Sequence, residues 1–223
     1  MSEETWRLFV AIPVPDAVRA ALAAAVQPVR QRLPAARWQS PDTWHLTLRF
    51  LGETERAAVP GLERAVRETA ASGGPFRLAL GEAGSFERRG RGRVAWIGLA
   101  SGAPEVERLA QRLALACGAP AEATLPVQVH LTVARDAPDD LVGALAGALE
   151  AVRARNSPAG RPGRVGLGSG VRNGPEDAGP LAWIADRLVL YRSQLDRAGA
   201  RHTPVFEARL GDRSGVAEEA AGR

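Results

Sequence analysis

Two stretches of this chain carry the same pattern, His-apolar-Thr-apolar, inside segments that alternate between apolar and polar residues. They are Trp44-His45-Leu46-Thr47-Leu48-Arg49-Phe50-Leu51 and Val127-Gln128-Val129-His130-Leu131-Thr132-Val133-Ala134. Strict alternation predicts a strand with one face buried. Side chains at i and i+2 of a strand share a face. His45, Thr47 and Arg49 are therefore expected on one polar face, with Trp44, Leu46, Leu48 and Phe50 entering the core. Gln128, His130 and Thr132 share a face in the second strand, opposite Val129, Leu131 and Val133. The fold must then let two strands, far apart in sequence, each present an imidazole and a hydroxyl toward one cleft.

The order of elements around the two strands repeats. Trp6 to Ile12 reads as an apolar strand. Pro13-Val14-Pro15-Asp16 opens a helix with Val18, Leu22, Val26, Val29 and Leu33 at helical spacing, and the His45 strand follows, ended by Gly52. A helix with Val59, Leu62 and Val66 and a strand at Phe76 to Leu80 come next. The order then recurs with a strand at Val94 to Leu99, a helix from near Pro104 carrying Val106, Leu109 and Leu113, and the His130 strand. A further helix spans about Asp139 to Val152, and late strands are expected at Leu181 to Leu190 and Val205 to Leu210. This predicts an α+β architecture of two pseudo-symmetric α/β lobes, one histidine strand in each. Residues 1–210 form a single bilobal domain, 211–223 a polar tail. A Gly/Pro/Arg-rich loop is expected near 156–180, around a short strand at Val165-Gly166-Leu167. Its glycines lack the G-x-G-x-x-G spacing of a dinucleotide site.

The paired motifs suit phosphodiester cleavage. A neutral imidazole can deprotonate water and an imidazolium can protonate a leaving alkoxide, both within reach of the histidine pKa near 6.5. Threonine hydroxyls can donate to non-bridging phosphate oxygens. Arg135, just beyond Thr132, can reach the same phosphate with its fork of donors. His202 lacks the pattern and reads as structural or peripheral. Arg88, Arg89, Arg91 and Arg93 read as a solvated basic turn, while Tyr191 or a cleft-facing Trp is available to stack on a base.

Composition excludes other classes. No apolar run approaches the ~20 residues of a membrane span. Met1-Ser2-Glu3-Glu4 is followed by no hydrophobic signal core, and the lone Cys117 has no disulfide partner in the chain, so a cytoplasmic protein is expected. Neither a metal nor a cofactor is expected. There is no H-E-x-x-H pair, cysteine cluster or G-x-S-x-G elbow. The pI near 10.6 arises with a net charge of only +4 because every basic residue is arginine. That permits a phosphate-bearing substrate without demanding one.

At these residues the chain resembles the RNA 2',3'-cyclic phosphodiesterases, also called 2'-5' RNA ligases, of the two-histidine (2H) phosphoesterase superfamily. Arg7-Leu8-Phe9-Val10-Ala11-Ile12 resembles the family's first strand. Arg37-Trp38 and His45 to Glu53 resemble its first motif region, and His130 to Arg135 its second. Leu190 to Leu195 and Gly199 to Pro204 resemble its C-terminal signature. The resemblance implies a bilobal fold with antiparallel sheets flanking a central cleft, and hydrolysis of 2',3'-cyclic phosphate ends to 2'-phosphates. It also implies His45 as proton donor and His130 as proton acceptor. The partner would be RNA or a nucleotide bearing a 2',3'-cyclic phosphate, and a monomer is expected. Alternatives are 2'-5' ligation, hydrolysis of another cyclic or 2'-linked nucleotide, or a non-catalytic RNA-binding module. The chain departs from the family where Asp136 and Ala137 follow Arg135 in place of a second basic residue, and in the length of the 156–180 loop.

Overall fold

The computed structural model describes residues 4–87, 93–119, 128–156, 179–196 and 199–214. Strand β1 (Thr5–Pro13) leads into helix α1 (Asp16–Arg32), which buries Val18, Leu22, Val26 and Val29 on one face. Pro28 sits inside that helix and deprives one turn of its N–H donor. A two-residue strand β2 (Arg37–Trp38) and a short turn precede β3 (His45–Glu55). Helix α2 (Val59–Ala71), β4 (Phe76–Glu87), β5 (Arg93–Ser101) and α3 (Ala103–Ala116) follow. The chain continues with β6 (Leu131–Ala137), α4 (Leu141–Asn156), β7 (Ala182–Ala185), β8 (Arg187–Asp196) and β9 (Gly199–Arg209). Helix α4 buries Leu141, Leu145, Leu149 and Val152, a stripe at helical spacing.

The strands make a four-stranded sheet in the order β3-β1-β8-β9 and a five-stranded sheet in the order β2-β6-β5-β4-β7. The described pairings are antiparallel. Aligning β3 with β6 places β1 beside β5, β8 beside β4 and β9 beside β7, so the expected pseudo-symmetric, antiparallel bilobal fold is present. The lobes are not self-contained, however. Helix α3 leaves the five-stranded sheet yet packs on β3 of the other, beside α2, which covers β8 and β9. Helix α1 leaves the four-stranded sheet and packs against α4, which lies on β4. One continuous apolar core results.

Three local expectations change. Leu181 to Leu190 is two strands in two sheets, broken at Asp186. Strand β3 does not stop at Gly52 but runs through it to Glu55, with Gly52 at a φ of 73° that a glycine adopts without strain. Phe50 is 69% exposed and not in the core. The strand and most of the loop expected near 156–180, Arg88, Arg89 and Arg91 of the basic turn, and the tail beyond 214 lie outside the described residues. Arg93, at the turn's edge, ion-pairs with Asp139 and Glu87.

Candidate active site

The position of Phe50 follows from the register between β1 and β3. Ala11 stands opposite Thr47, Val10 opposite Arg49, Phe9 opposite Phe50 and Leu8 opposite Gly52. Leu48 and Leu51 are therefore extra residues, and each inserts a bulge that shifts alternation by one. The same shifts occur between β5 and β6: Trp96 opposes Thr132, Ala95 opposes Ala134, Val94 opposes Arg135 and Arg93 opposes Ala137. Val133 and Asp136 are the extra residues there, and Asp136 takes a φ of 50°. Both strands thus bulge at the residue after the threonine and again three residues later. The third residue past each threonine, Phe50 in one strand and Arg135 in the other, returns to the face of the histidine. The second residue past it turns away. Ala134 is fully buried. Arg49 turns likewise, with its Nε buried and unpartnered, and does not join the cleft lining. The expectation that Arg49 shares the face of His45 and Thr47 is corrected by this bulge.

The two bulged strands face one cleft of about 220 Å³, lined among others by His45, Thr47, His130, Thr132, Arg135 and Phe50. All five residues singled out by the motifs are brought together. Each histidine is held the same way. His45 Nδ1 lies 2.6 Å from the carbonyl oxygen of Thr43, and His130 Nδ1 lies 2.7 Å from that of Gln128. A carbonyl only accepts, so each Nδ1 carries the hydrogen and donates, leaving each Nε2 for the cleft. Aromatic rings fix the imidazole planes. Phe9 lies 4.7 Å from the His45 ring, and Phe86 lies edge-on to His130 at 4.9 Å. Trp96 lies behind Phe86 and rests over Gly84, where a Cβ would come within 2.3 Å of its ring.

His202 is a cleft residue, contrary to the peripheral reading. Strand β9 pairs it with Ser193, and its ring meets His45 edge-on at 5.3 Å and Phe9 at 4.9 Å. Its Nδ1 is buried without a well-formed hydrogen bond, and only a weak backbone contact at Arg201 supports its charged form. Arg7, Phe9 and Ser193 also line or floor the cleft. The alternation of Arg7-Leu8-Phe9 was the signal that puts Arg7 and Phe9 on one face. Which face meets the cleft was not in the sequence. Tyr191 stacks on Phe9 at 5.2 Å and is not a free platform.

Burial pushes the His45 pKa down from 6.5 to about 4, opposed by its bond to Thr43 and helped by the charges of His202 and His130. Burial also lowers His202. The unfolded chain therefore binds protons that the folded chain refuses between pH 6.5 and about 4. Stability is fully present above 6.5 and falls as pH drops through that window, by on the order of 3 kcal/mol for His45. Thermal melts at pH 7 and pH 4.5 should show a larger loss for the wild type than for His45→Gln. Equal losses would contradict the assignment to this ring.

Among the described residues no group of three or more His, Cys, Asp or Glu side chains is placed to hold a metal ion. No described helix is long and apolar enough to cross a membrane.

Residues 12–96 match the family model described as LigT like Phosphoesterase. An RNA 2',3'-cyclic phosphodiesterase of Geobacillus stearothermophilus is 30% identical over 129 residues, which is 57% of this chain and 41% of that protein. The matched stretch thus spans less than half of that relative. A crystal structure from Thermus thermophilus superposes with a TM-score of 0.63 at 27% identity, over 92% of this chain and 98% of that one. Escherichia coli LigT in apo form shares the fold, with a TM-score of 0.63 at 24% identity over 95% of this chain and 100% of that one. The family match covers the first histidine strand, and the whole-chain superpositions extend the likeness across the second. With its two bulged histidine strands set around one cleft, the chain is similar to the LigT like phosphoesterases, in sequence over residues 12–96 and in fold over most of its length.

Proposed function

We propose that the cleft hydrolyses the 2',3'-cyclic phosphate of an RNA end or nucleotide to a 2'-phosphate, with His45 as proton donor and His130 as proton acceptor. The observation that carries this reading is the matched pair of imidazoles, each with Nδ1 locked on a backbone carbonyl and Nε2 left for the cleft. Thr47, Thr132 and Arg135 bind the phosphate between them. His130 takes a proton from water, and the hydroxide attacks phosphorus. The bond to O3' breaks, and His45 gives its proton to the leaving alkoxide. The two rings then exchange protons with solvent for the next cycle. The exposed Phe50 ring at the rim offers a face for a base.

One observation favours a second reading, in which the two roles are exchanged. At neutral pH the free His45 is uncharged, its pKa near 4, which suits an acceptor. The donor role requires the bound phosphate anion to draw its pKa back up.

Incubation of the purified protein with a 2',3'-cyclic-phosphate RNA in excess chelator should yield a 2'-phosphate end. A chain end left intact, or turnover lost with chelator and restored by added metal, would defeat the reading. The relative's shared name supports the substrate class, and a ligase would join rather than hydrolyse such ends.

A further inference from the structure

Resting on that reading, we propose that Arg7, Ser193 and His202 form a second phosphate subsite in the same cleft. It would take the phosphodiester on the 5' side of the terminal nucleotide. The ligand is then an RNA chain end rather than a mononucleotide. The three side chains come from three adjacent strands. Leu8 pairs with Arg192 across β1 and β8, so Arg7 and Ser193 flank that pair, and Ser193 pairs with His202 across β8 and β9. All three line the cleft that holds His45 and His130.

The row runs away from the reacting phosphate, from His202, whose ring meets that of His45 at 5.3 Å, to Arg7 at its far end. Arg7 stands four residues along β1 from Ala11, the partner of Thr47, which is roughly 13 Å of strand. The Phe9 ring lies between them on the same face. Three features mark the row as a place for an anion. Arg7 is exposed and makes no hydrogen bond, ion pair or ring contact with a described residue. Glu53 stands across from it in the register without forming an ion pair. The neighbouring arginines are engaged: Arg56 pairs with Glu4 and Arg192 lies 4.5 Å over Trp6. His202 adds a half-buried imidazole whose Nδ1 has no well-formed partner. A guanidinium, a hydroxyl and an imidazole are donors suited to a phosphodiester. A cyclic mononucleotide has only one phosphate and leaves this row unused.

Calorimetric titration with the product forms separates binding from turnover. The probes are adenosine 2'-phosphate and the dinucleotide ApA carrying a terminal 2'-phosphate, each at two salt concentrations. The dinucleotide should bind about tenfold tighter, the scale of one charge-assisted hydrogen bond. Its log–log salt slope should be steeper by roughly 0.7. Arg7→Ala should remove both the advantage and the extra slope. His202→Asn should reduce the advantage, and Arg7→Lys should keep the slope. Equal wild-type affinities, or Arg7→Ala weakening both ligands alike, would overturn the subsite. Dinucleotide preference lost in Arg7→Ala, in a protein that hydrolyses no cyclic phosphate, would keep the subsite and refute the cyclic phosphodiesterase reading instead.

Discussion

His45→Ala and His130→Ala should each lower hydrolysis of a 2',3'-cyclic phosphate by at least ~10²-fold, the scale of general acid–base catalysis. An alkoxide is a poor leaving group, so loss of its proton donor is costly. Without an acceptor, water is a weak nucleophile. The double variant should be much less than multiplicatively worse, because the two rings serve one proton-transfer cycle. Both histidines occupy equivalent places in equivalent bulged strands, so a drop in both variants does not assign their roles. A phosphodiester with an aryl leaving group does, since a phenolate departs unprotonated. His45→Ala should retain activity on it and His130→Ala should not; the opposite pattern would establish the exchanged roles. Thermal melting must show each variant folded. Near-normal turnover of a cyclic phosphate by either folded variant would end the two-histidine mechanism.

Gly84→Ala should lower turnover by ~10- to 10²-fold although Gly84 does not line the cleft. A Cβ there would lie 2.3 Å from the Trp96 ring, which packs on Phe86, itself edge-on to His130. The ring must move, and small displacements of a proton-transferring group are costly. Overpacking of this kind destabilises by about 1–3 kcal/mol, a fall in Tm of roughly 2–4 °C per kcal/mol for a chain of this size. Trp96→Phe in the same background should restore part of both losses. Gly61→Ala is the control: it sits on α2 with nothing within 4 Å of the added carbon, where alanine is the better helix former. A Gly84→Ala protein with wild-type melting and wild-type turnover would show that the aromatic support behind His130 is irrelevant.

The five residues named from the motifs are local in character. His45 with Thr47, and His130 with Thr132, need only the two-residue period of a strand to share a face. That period was visible in the alternation on either side of them. The repeated order of strand, helix and histidine strand made a pseudo-symmetric pair of lobes readable as well. So was the apolar stripe of each helix, because helix and strand periods act over a few residues.

Bulges are not readable in this way. Leu48 and Val133 look like ordinary core positions of an alternating strand, and only their pairing with β1 and β5 shows that each is an extra residue. That decision sends Arg49 away from the cleft, brings Phe50 to its rim, and returns Arg135 to the face of Thr132. The place of His202 in the cleft is unreadable for the same kind of reason. Nothing around it repeats the motif, and its place beside His45 comes from β9 pairing with β8, which in turn pairs with β1. The exchange of α1 and α3 between the sheets likewise depends on contacts between segments far apart in the chain. The sequence by itself determined which histidine and threonine share a face within each motif. Register, strand order and helix exchange, set by long-range hydrogen bonds and packing, decided which of the remaining side chains meet them.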